Sequence, residues 1–329
     1  MNANGSRGVL HSCECHRLPD PYRSCGYWQG AADFVTPRLM SLFKVIGVGE
    51  LLCDLFPERR NPGGAPANFA FHAAQFGCLG MVASAVGQDE LGRELVDFLD
   101  QQGVKTELIQ SNANPTGQVT VDLSRPDHPQ YTIHPGAAWD HLAETATWLA
   151  AAKLADVICF GTLGQRATES RLVIQSLLKA TSGMKVFDVN FRQQWYNRDV
   201  VAEGLALADL VKLNEDEANQ LGPLLGYGPL DRLSLRDRLA SDFGVETLCI
   251  TRAERGCWVW SADEGAFDIA GEPVTVVDPV GAGDAFTAAL VTSLFTHPLK
   301  ESAQIANRVG AYVATQPGAM ARVPESVLS

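Results

Sequence analysis

The segment Asp278-Pro-Val-Gly-Ala-Gly-Asp-Ala-Phe286 joins a glycine-rich turn, a carboxylate and the start of an apolar stretch that runs from Ala285 to Phe295. If that stretch is a helix, the amides of Ala282, Gly283 and Asp284 lie unpaired at its positive end. Phosphate is the natural guest of such an end. A carboxylate beside that anion is unfavourable unless it has a task, and for Asp284 the fitting task is taking a proton from an attacking hydroxyl. The pattern points to phosphoryl transfer onto an alcohol. A glycine turn with Asp284 as an ordinary N-cap is the plain alternative.

A second glycine pair precedes a helix start in Gly63-Gly64-Ala65-Pro66-Ala67-Asn68-Phe69-Ala70. Pro66 suits a first helical turn, and Asn68 can offer its amide to whatever the glycines admit. On these two segments, in this order, the chain resembles the ribokinase-like (PfkB) carbohydrate kinases, which carry GG-x-x-x-N near the N-terminus and D-x-x-GAGD-x-F near the C-terminus. The resemblance runs from about Leu42 to the chain's end, and Gly-Gly-Ala-Pro-Ala-Asn is similar to the phrase in fructokinase-type members. It implies an α/β fold: a three-layer α/β/α domain with a mostly parallel central sheet and a small β-sheet lid. It also implies Asp284 as catalytic base, with Gly281, Ala282 and Gly283 forming an anion hole. ATP and Mg2+ would be the cofactors, and a primary hydroxyl of a monosaccharide the acceptor. Fructose, giving fructose 6-phosphate, is the first expectation; 2-keto-3-deoxygluconate, ribose and nucleosides follow. A non-catalytic sugar-binding regulator on the same fold is the alternative from another class.

Further segments fit the same resemblance. Gly49-Glu-Leu-Leu-Cys-Asp54 closes the first strand, where a carboxylate can accept hydrogen bonds from sugar hydroxyls. The resemblance assigns that part to Asp54, with Glu50 as competitor and a solvated strand-end charge as the plain reading. Gly63, Gly64 and Asn68 would complete the sugar floor. Asp188-Val-Asn-Phe-Arg192 sets polar residues on alternate positions, hence on one face of a strand, and resembles D-x-N-x-R. Asn190 would then meet the sugar and Arg192 the phosphates or sugar. Lys212-Leu-Asn-Glu-Asp-Glu217 matches N-x-x-E, which implies Asn214 at the nucleotide and Glu217 on Mg2+ through water. An N-cap at Asn214 followed by acidic first-turn residues reads equally well.

Thr251-Arg-Ala-Glu-Arg-Gly256 resembles the T-x-G-x-x-G nucleotide loop, with Ala253 in place of its first glycine. Thr251 and Gly256 would face phosphate and ribose, and Asn307 the adenine. Asp278, Val280 and the loop at Gly318 resemble a monovalent-cation site in which carbonyl oxygens bind K+. The chain has neither a P-loop G-x-x-x-x-G-K-[ST] nor a dinucleotide fingerprint after its first strand.

The elements that must position these residues read as alternating strands and helices. Strands are expected over 43–49, 81–86, 156–160, 185–189, 210–213 and 247–251, and a hairpin over 256–269. Helices are expected over 66–77, 90–102, 142–153, 169–180, 200–207, 215–221, 231–243, 283–295 and 301–315. Strands separated by helices make a parallel sheet that binds ligands beyond the strands' carboxyl ends. Residues 51–56, 116–123 and 130–134 read instead as a separate small sheet around the turn Arg125 to Pro129, with 57–62 as a polar turn. Val119, Val121 and Ile133 give it an apolar face that something must cover, and the family resemblance implies that the cover is the same sheet of a second subunit in a homodimer.

Composition narrows the field. The 329 residues carry a formal net charge of -12, which disfavours nucleic acid and anionic membrane surfaces as partners and leaves ATP to local amides and cations. No apolar run approaches the roughly 20 residues that cross a bilayer. The eight cysteines show no repeated pair spacing, so a reducing, cytoplasmic setting is expected. Residues 1–39 read as a leader, disordered or a mis-called start before Met40. Cys13, Cys15, His16 and Cys25 match no zinc spacing. Residues 40–329 form the expected kinase domain, its lid drawn from about 51–62 and 106–138.

Overall fold

Val45, Ile46 and Val48 in β1 (Lys44–Val48) are all buried, as a parallel strand covered by helices on both faces requires. This computed structural model describes residues 43–328 apart from 123 and 125–129. The expected leader, its Cys13, Cys15, His16 and Cys25, and the turn Arg125 to Pro129 lie outside the described residues.

The chain continues through β2 (Leu52–Leu55), β3 (Arg60–Gly63), α1 (Ala65–Gln75), β4 (Leu79–Gly87), α2 (Glu90–Gln101), β5 (Ile109–Asn112), β6 (Gly117–Asp122) and β7 (Gln130–Ile133). Then come α3 (Ala146–Lys153), β8 (Val157–Phe160), α4 (Thr168–Ala180), β9 (Met184–Asp188), α5 (Arg198–Leu207), β10 (Leu210–Asn214), α6 (Glu215–Leu225) and α7 (Arg232–Phe243). The remainder is β11 (Thr247–Thr251), β12 (Cys257–Ser261), β13 (Gly265–Ile269), α8 (Ala282–Ser293), α9 (Leu299–Ala314) and α10 (Glu325–Leu328).

The large sheet has the order β13-β12-β11-β10-β9-β8-β1-β4-β5. It is parallel from β11 to β5, and β12 and β13 run antiparallel at one edge. Strand order reverses between β1 and β8, because the chain first builds outward through β4 and later returns to build the other way. A crevice beyond the carboxyl ends is expected at such a reversal. Alternation splits the core: Val45, Val186 and Leu210 pack with α8 and α9, whereas Ile46, Phe187 and Val211 pack with the helices of the opposite layer. Cys53, Cys78, Cys159, Cys249 and Cys257 are free and buried, as small hydrophobes. No helix of the described residues is long and apolar enough to cross a membrane.

The small sheet has the order β3-β2-β6-β7, with β2 and β6 parallel. Two strands depart from the expected pattern. Arg60–Gly63 has turn composition but pairs at the sheet's edge, where Pro62 lacks only a donor that the ladder does not need. Polar Ile109–Asn112 pairs at the edge of the large sheet. The apolar face of the small sheet is also differently used. Val119, Val121 and Ile133 are 5%, 2% and 8% exposed within a single chain, and Thr120, Asp122 and Thr132 take the solvent side. Those three apolar residues cannot supply the subunit contact expected of them, since their own chain already covers them.

Candidate active site

Helix α8 begins where backbone sterics permit. Gly281 is its N-cap at φ 79°, and its carbonyl accepts Ala285 N at 2.8 Å. A Cβ on Gly281 would approach Ala319 Cα to 2.5 Å, so glycine is needed for both conformation and space. Of the three amides expected to lie open, Ala282 N closes a turn onto Pro279 O at 3.3 Å. The amides of Gly283 and Asp284 are left at the positive end of the helix.

Helix α1 packs directly on α8 and brings the other glycine motif alongside. Gly64 is the N-cap at φ 114°, with its carbonyl accepting the amides of Ala67 and Asn68 at 3.0 Å each. Asn68 lies one turn in and donates Nδ2–H to Asp284 Oδ2 at 2.7 Å. Its Oδ1 is buried without a partner among the described residues. One amide thus holds the carboxylate of α8 and keeps an acceptor in reserve.

A cavity of about 650 Å3 spreads over this junction. Glu50, Gly63, Gly64, Asn68, Gly281, Gly283 and Asp284 line its floor, and Leu52, Asp54, Val119, Tyr131 and Ile133 of the small sheet roof it. Asn190, Arg192 and Gln193 close one side. Gln193 also donates to Tyr131 O, which ties that side to the lid.

Electrostatics sharpen the picture. Burial and the nearby Asp188 raise the Asp284 carboxyl to about 6, while Asn68, Lys212 and Arg192 pull the other way. A carboxyl at about 6 is mostly ionised at neutral pH. Burial raises Asp54 to about 6, offset in part by Arg192, and raises Glu50 to about 7 against its own amide, that of Ala65, and Arg192. Glu50 Oε2 has no hydrogen-bond partner among the described residues.

The Asp188 to Arg192 segment is not a strand face. β9 stops at Asp188 and Asn190 takes φ 46°, so the chain turns away before alternation can act. Asn190 and Arg192 reach the cavity, whereas Asp188 is buried beneath it, accepting from Lys212 Nζ at 3.1 Å and Thr287 Oγ1 at 2.9 Å. Lys212 also lines the cavity. The sequence reading gave it no part, although a lysine in the apolar run Leu210-Val-Lys-Leu213 was a usable signal.

Glu217 and Asn214 form a reciprocal cap: Asn214 N donates to Glu217 Oε2 at 2.7 Å, and Glu217 N to Asn214 Oδ1 at 2.8 Å. Phe191 N donates to Glu217 Oε1 at 2.9 Å. Both oxygens are occupied by amides, Glu217 lies outside the cavity lining, and no group of three acidic, histidine or cysteine ligands exists among the described residues. The donor set does not fit a protein-held magnesium. A nucleotide-borne ion keeping its water is the form compatible with it.

Asn214 and Thr251 are register partners at the carboxyl ends of adjacent strands. Ala253, at the position where the resembled T-x-G-x-x-G loop has a glycine, holds φ 49°, and Gly256 follows at φ 84°. The backbone thus holds a positive φ at Ala253 despite the missing glycine. Asn307 Nδ2 donates to Ala270 O at 2.9 Å, fixing the segment after β13. Thr251, Gly256 and Asn307 stand outside the cavity lining. Asp278 joins the two loops of the expected K+ site, accepting from Val280 N and Gly318 N at 3.0 Å each.

Known proteins resemble the chain over most of its length. The pfkB family carbohydrate kinase profile matches residues 56–326. The chain is 30% identical over 298 residues to a fructokinase of Vibrio alginolyticus, covering 84% of this chain and 94% of that one. It is 30% identical over 308 residues to an aminoimidazole riboside kinase of Salmonella typhimurium, covering 87% and 93%. The crystal structure of an uncharacterized sugar kinase from Pyrococcus horikoshii in complex with ATP superposes with a TM-score of 0.72 at 26% identity, covering 84% and 94%.

Proposed function

Because the chain belongs to the pfkB family of carbohydrate kinases, with fructokinases among its relatives, we propose that it moves the γ-phosphoryl group of ATP onto a primary hydroxyl of a neutral monosaccharide, fructose first. The observation that carries this reading is the junction of α1 and α8. A buried carboxylate, Asp284, stands at a helix N-terminus, held by Asn68 at 2.7 Å, inside a cavity with a hydroxyl-reading floor and an apolar roof.

In this reading the sugar hydroxyl gives its proton to Asp284 and its oxygen attacks the γ-phosphorus. The bond to the departing ADP breaks as the new phosphorus–oxygen bond forms. Negative charge on the phosphoryl oxygens meets the amides of Gly283 and Asp284, with Arg192 beside them. Asp54, Asn190, Gly63, Gly64 and the free Oδ1 of Asn68 would hold the sugar, and the small sheet would exclude water. Asn214, Thr251, Gly256 and Asn307 would line the nucleotide's path. Magnesium arriving on ATP would supply charge neutralisation. Asp278, Val280 and Gly318 would frame a K+ site, to be tested by exchanging K+ for Na+ in the assay. An ATP-consuming reaction of this kind suits the cytoplasm.

The charge balance supports a neutral acceptor. Three carboxylates, Glu50, Asp54 and Asp284, face the cavity against two cations, Arg192 and Lys212, and Lys212 is already paired with Asp188 at 3.1 Å. A sugar acid such as 2-keto-3-deoxygluconate would bring a further anion to this side. The roof of Leu52, Val119, Tyr131 and Ile133 favours a second reading, a riboside whose flat aglycone lies under it. ADP release measured over a panel of fructose, ribose, ribosides and sugar acids tests both. Turnover with a sugar acid alone would overturn the neutral-acceptor reading.

A homodimer through the lid would use the open edges β3 and β7 instead of the apolar face. Light scattering over a dilution series tests it, and a fully active monomer throughout would remove it.

A further inference from the structure

Lys212 is 6% exposed, yet it borders the cavity. Its Nζ donates to Asp188 Oδ1 at 3.1 Å, and a lysine nitrogen has three N–H groups to give. Asp188 is itself fixed by Thr287 Oγ1, which lies one turn along α8 and also reaches Gly283 O at 2.9 Å. A Cβ on Gly283 would come within 3.1 Å of Lys212 Nζ. The ammonium therefore lies against the first turn of α8, beside the open amides of Gly283 and Asp284.

That placement is costly in an empty site. A cation at a helix N-terminus opposes the helix dipole, and a buried ion pair yields little net stability. An anion arriving at the same turn reverses the balance, because amides and ammonium then face it together. We propose that Lys212 is a catalytic cation that donates a hydrogen bond to the phosphoryl group in transfer while keeping its bond to Asp188. The proposal rests on the kinase reading of this site. The lysine forms no covalent bond, and the sugar's proton still goes to Asp284.

The charge environment agrees with the geometry. Burial works against the ammonium, but Asp188, Glu217 and Asp284 outweigh it and hold the group above the ordinary lysine range. Lys212 in turn lowers the Asp284 carboxyl, together with Asn68 and Arg192 and against Asp188; Glu50 faces the same carboxylate.

The test compares Lys212→Met, Lys212→Arg and the double variant Asp188→Asn/Lys212→Met with wild type, once wild-type turnover on a neutral sugar is established. Absence of wild-type turnover would count against the kinase reading itself. Lys212→Met is expected to lose about 100-fold or more in kcat, the order seen when one charge-stabilising donor is removed, with sugar and ATP dissociation constants nearly unchanged. The acid limb of its kcat/KM profile should move to higher pH, because one cation that favours ionised Asp284 is gone. Lys212→Arg should restore part of kcat and return the limb. The double variant leaves no unpaired buried charge and should stay slow. Wild-type kcat in either methionine variant would overturn the proposal, as would a limb that does not move. If both methionine variants fail to fold, the unmodified protein decides: the 15Nζ resonance of Lys212 should shift on adding ADP, aluminium fluoride and sugar together, and an unmoved resonance would refute the contact.

Discussion

Asn68→Ala removes the donor that holds the proposed base, and its effect on pH dependence can be worked out in advance. The wild-type Asp284 carboxyl sits at about 6 and accepts Nδ2–H of Asn68 at 2.7 Å. A hydrogen bond to a charged group is worth about 1.5–3 kcal/mol, and one pKa unit corresponds to about 1.36 kcal/mol. Loss of the donor disfavours the charged form, so the carboxyl should rise by about one to two pH units. At pH 7 the ionised fraction would then fall from about nine-tenths to between about one-half and one-tenth. The expected result at pH 7 is a loss of about two- to tenfold in kcat from ionisation alone, recovered near pH 9. Any weakening of sugar binding is separated by working at saturating sugar. The assay is the full kcat profile of both proteins, with circular dichroism to check folding. A folded variant whose acid limb coincides with that of wild type would refute the linkage between Asn68 and the base.

Three further outcomes are expected. Asp284→Asn should lose about 10^2- to 10^4-fold in kcat while still binding sugar and ATP, measured by calorimetry, since it removes the base and leaves the amides. Asp54→Asn should weaken sugar affinity by about 10-fold or more. This is the worth of a hydrogen bond to a charged group, and wild-type affinity should likewise decline below about pH 6 as the carboxyl protonates. Equal affinity in variant and wild type would move the sugar elsewhere. Gly281→Ala should cost more stability than Gly318→Ala: both sit at φ 79°, but the new Cβ at 281 meets Ala319 whereas that at 318 meets nothing within 4 Å. Strain of this kind is worth about 1–3 kcal/mol, so thermal melts of the two variants resolve the difference, and Gly281→Ala should also lower kcat.

Where residue type alone decides local geometry, the sequence was legible. Gly64 and Gly281 stand at positive φ before helices because other residues are strained there, so both helix starts and the open amides at the start of α8 could be read directly. Alternating apolar runs and helices likewise marked the parallel sheet. Elements that break local rules were not legible: β3 reads as a turn because an edge strand tolerates Pro62, and Asp188 to Arg192 reads as a strand face because nothing local announces the turn at Asn190. Ala253 keeps a glycine-like backbone that its side chain does not advertise.

Tertiary structure alone decided which groups meet. Asn68 and Asp284 are 216 residues apart and touch because α1 packs on α8. The packing of β9 and β10 under the same helix end joins Lys212 to Asp188 and carries the ammonium to the proposed anion hole. The apolar face of the lid could be read from alternation, but its direction, toward the cavity and away from solvent, depends on how the small sheet folds over the large one. Sequence fixes what a side chain can donate, accept or titrate. Its partner, charge state and exposure come from neighbours that only packing of the whole chain supplies.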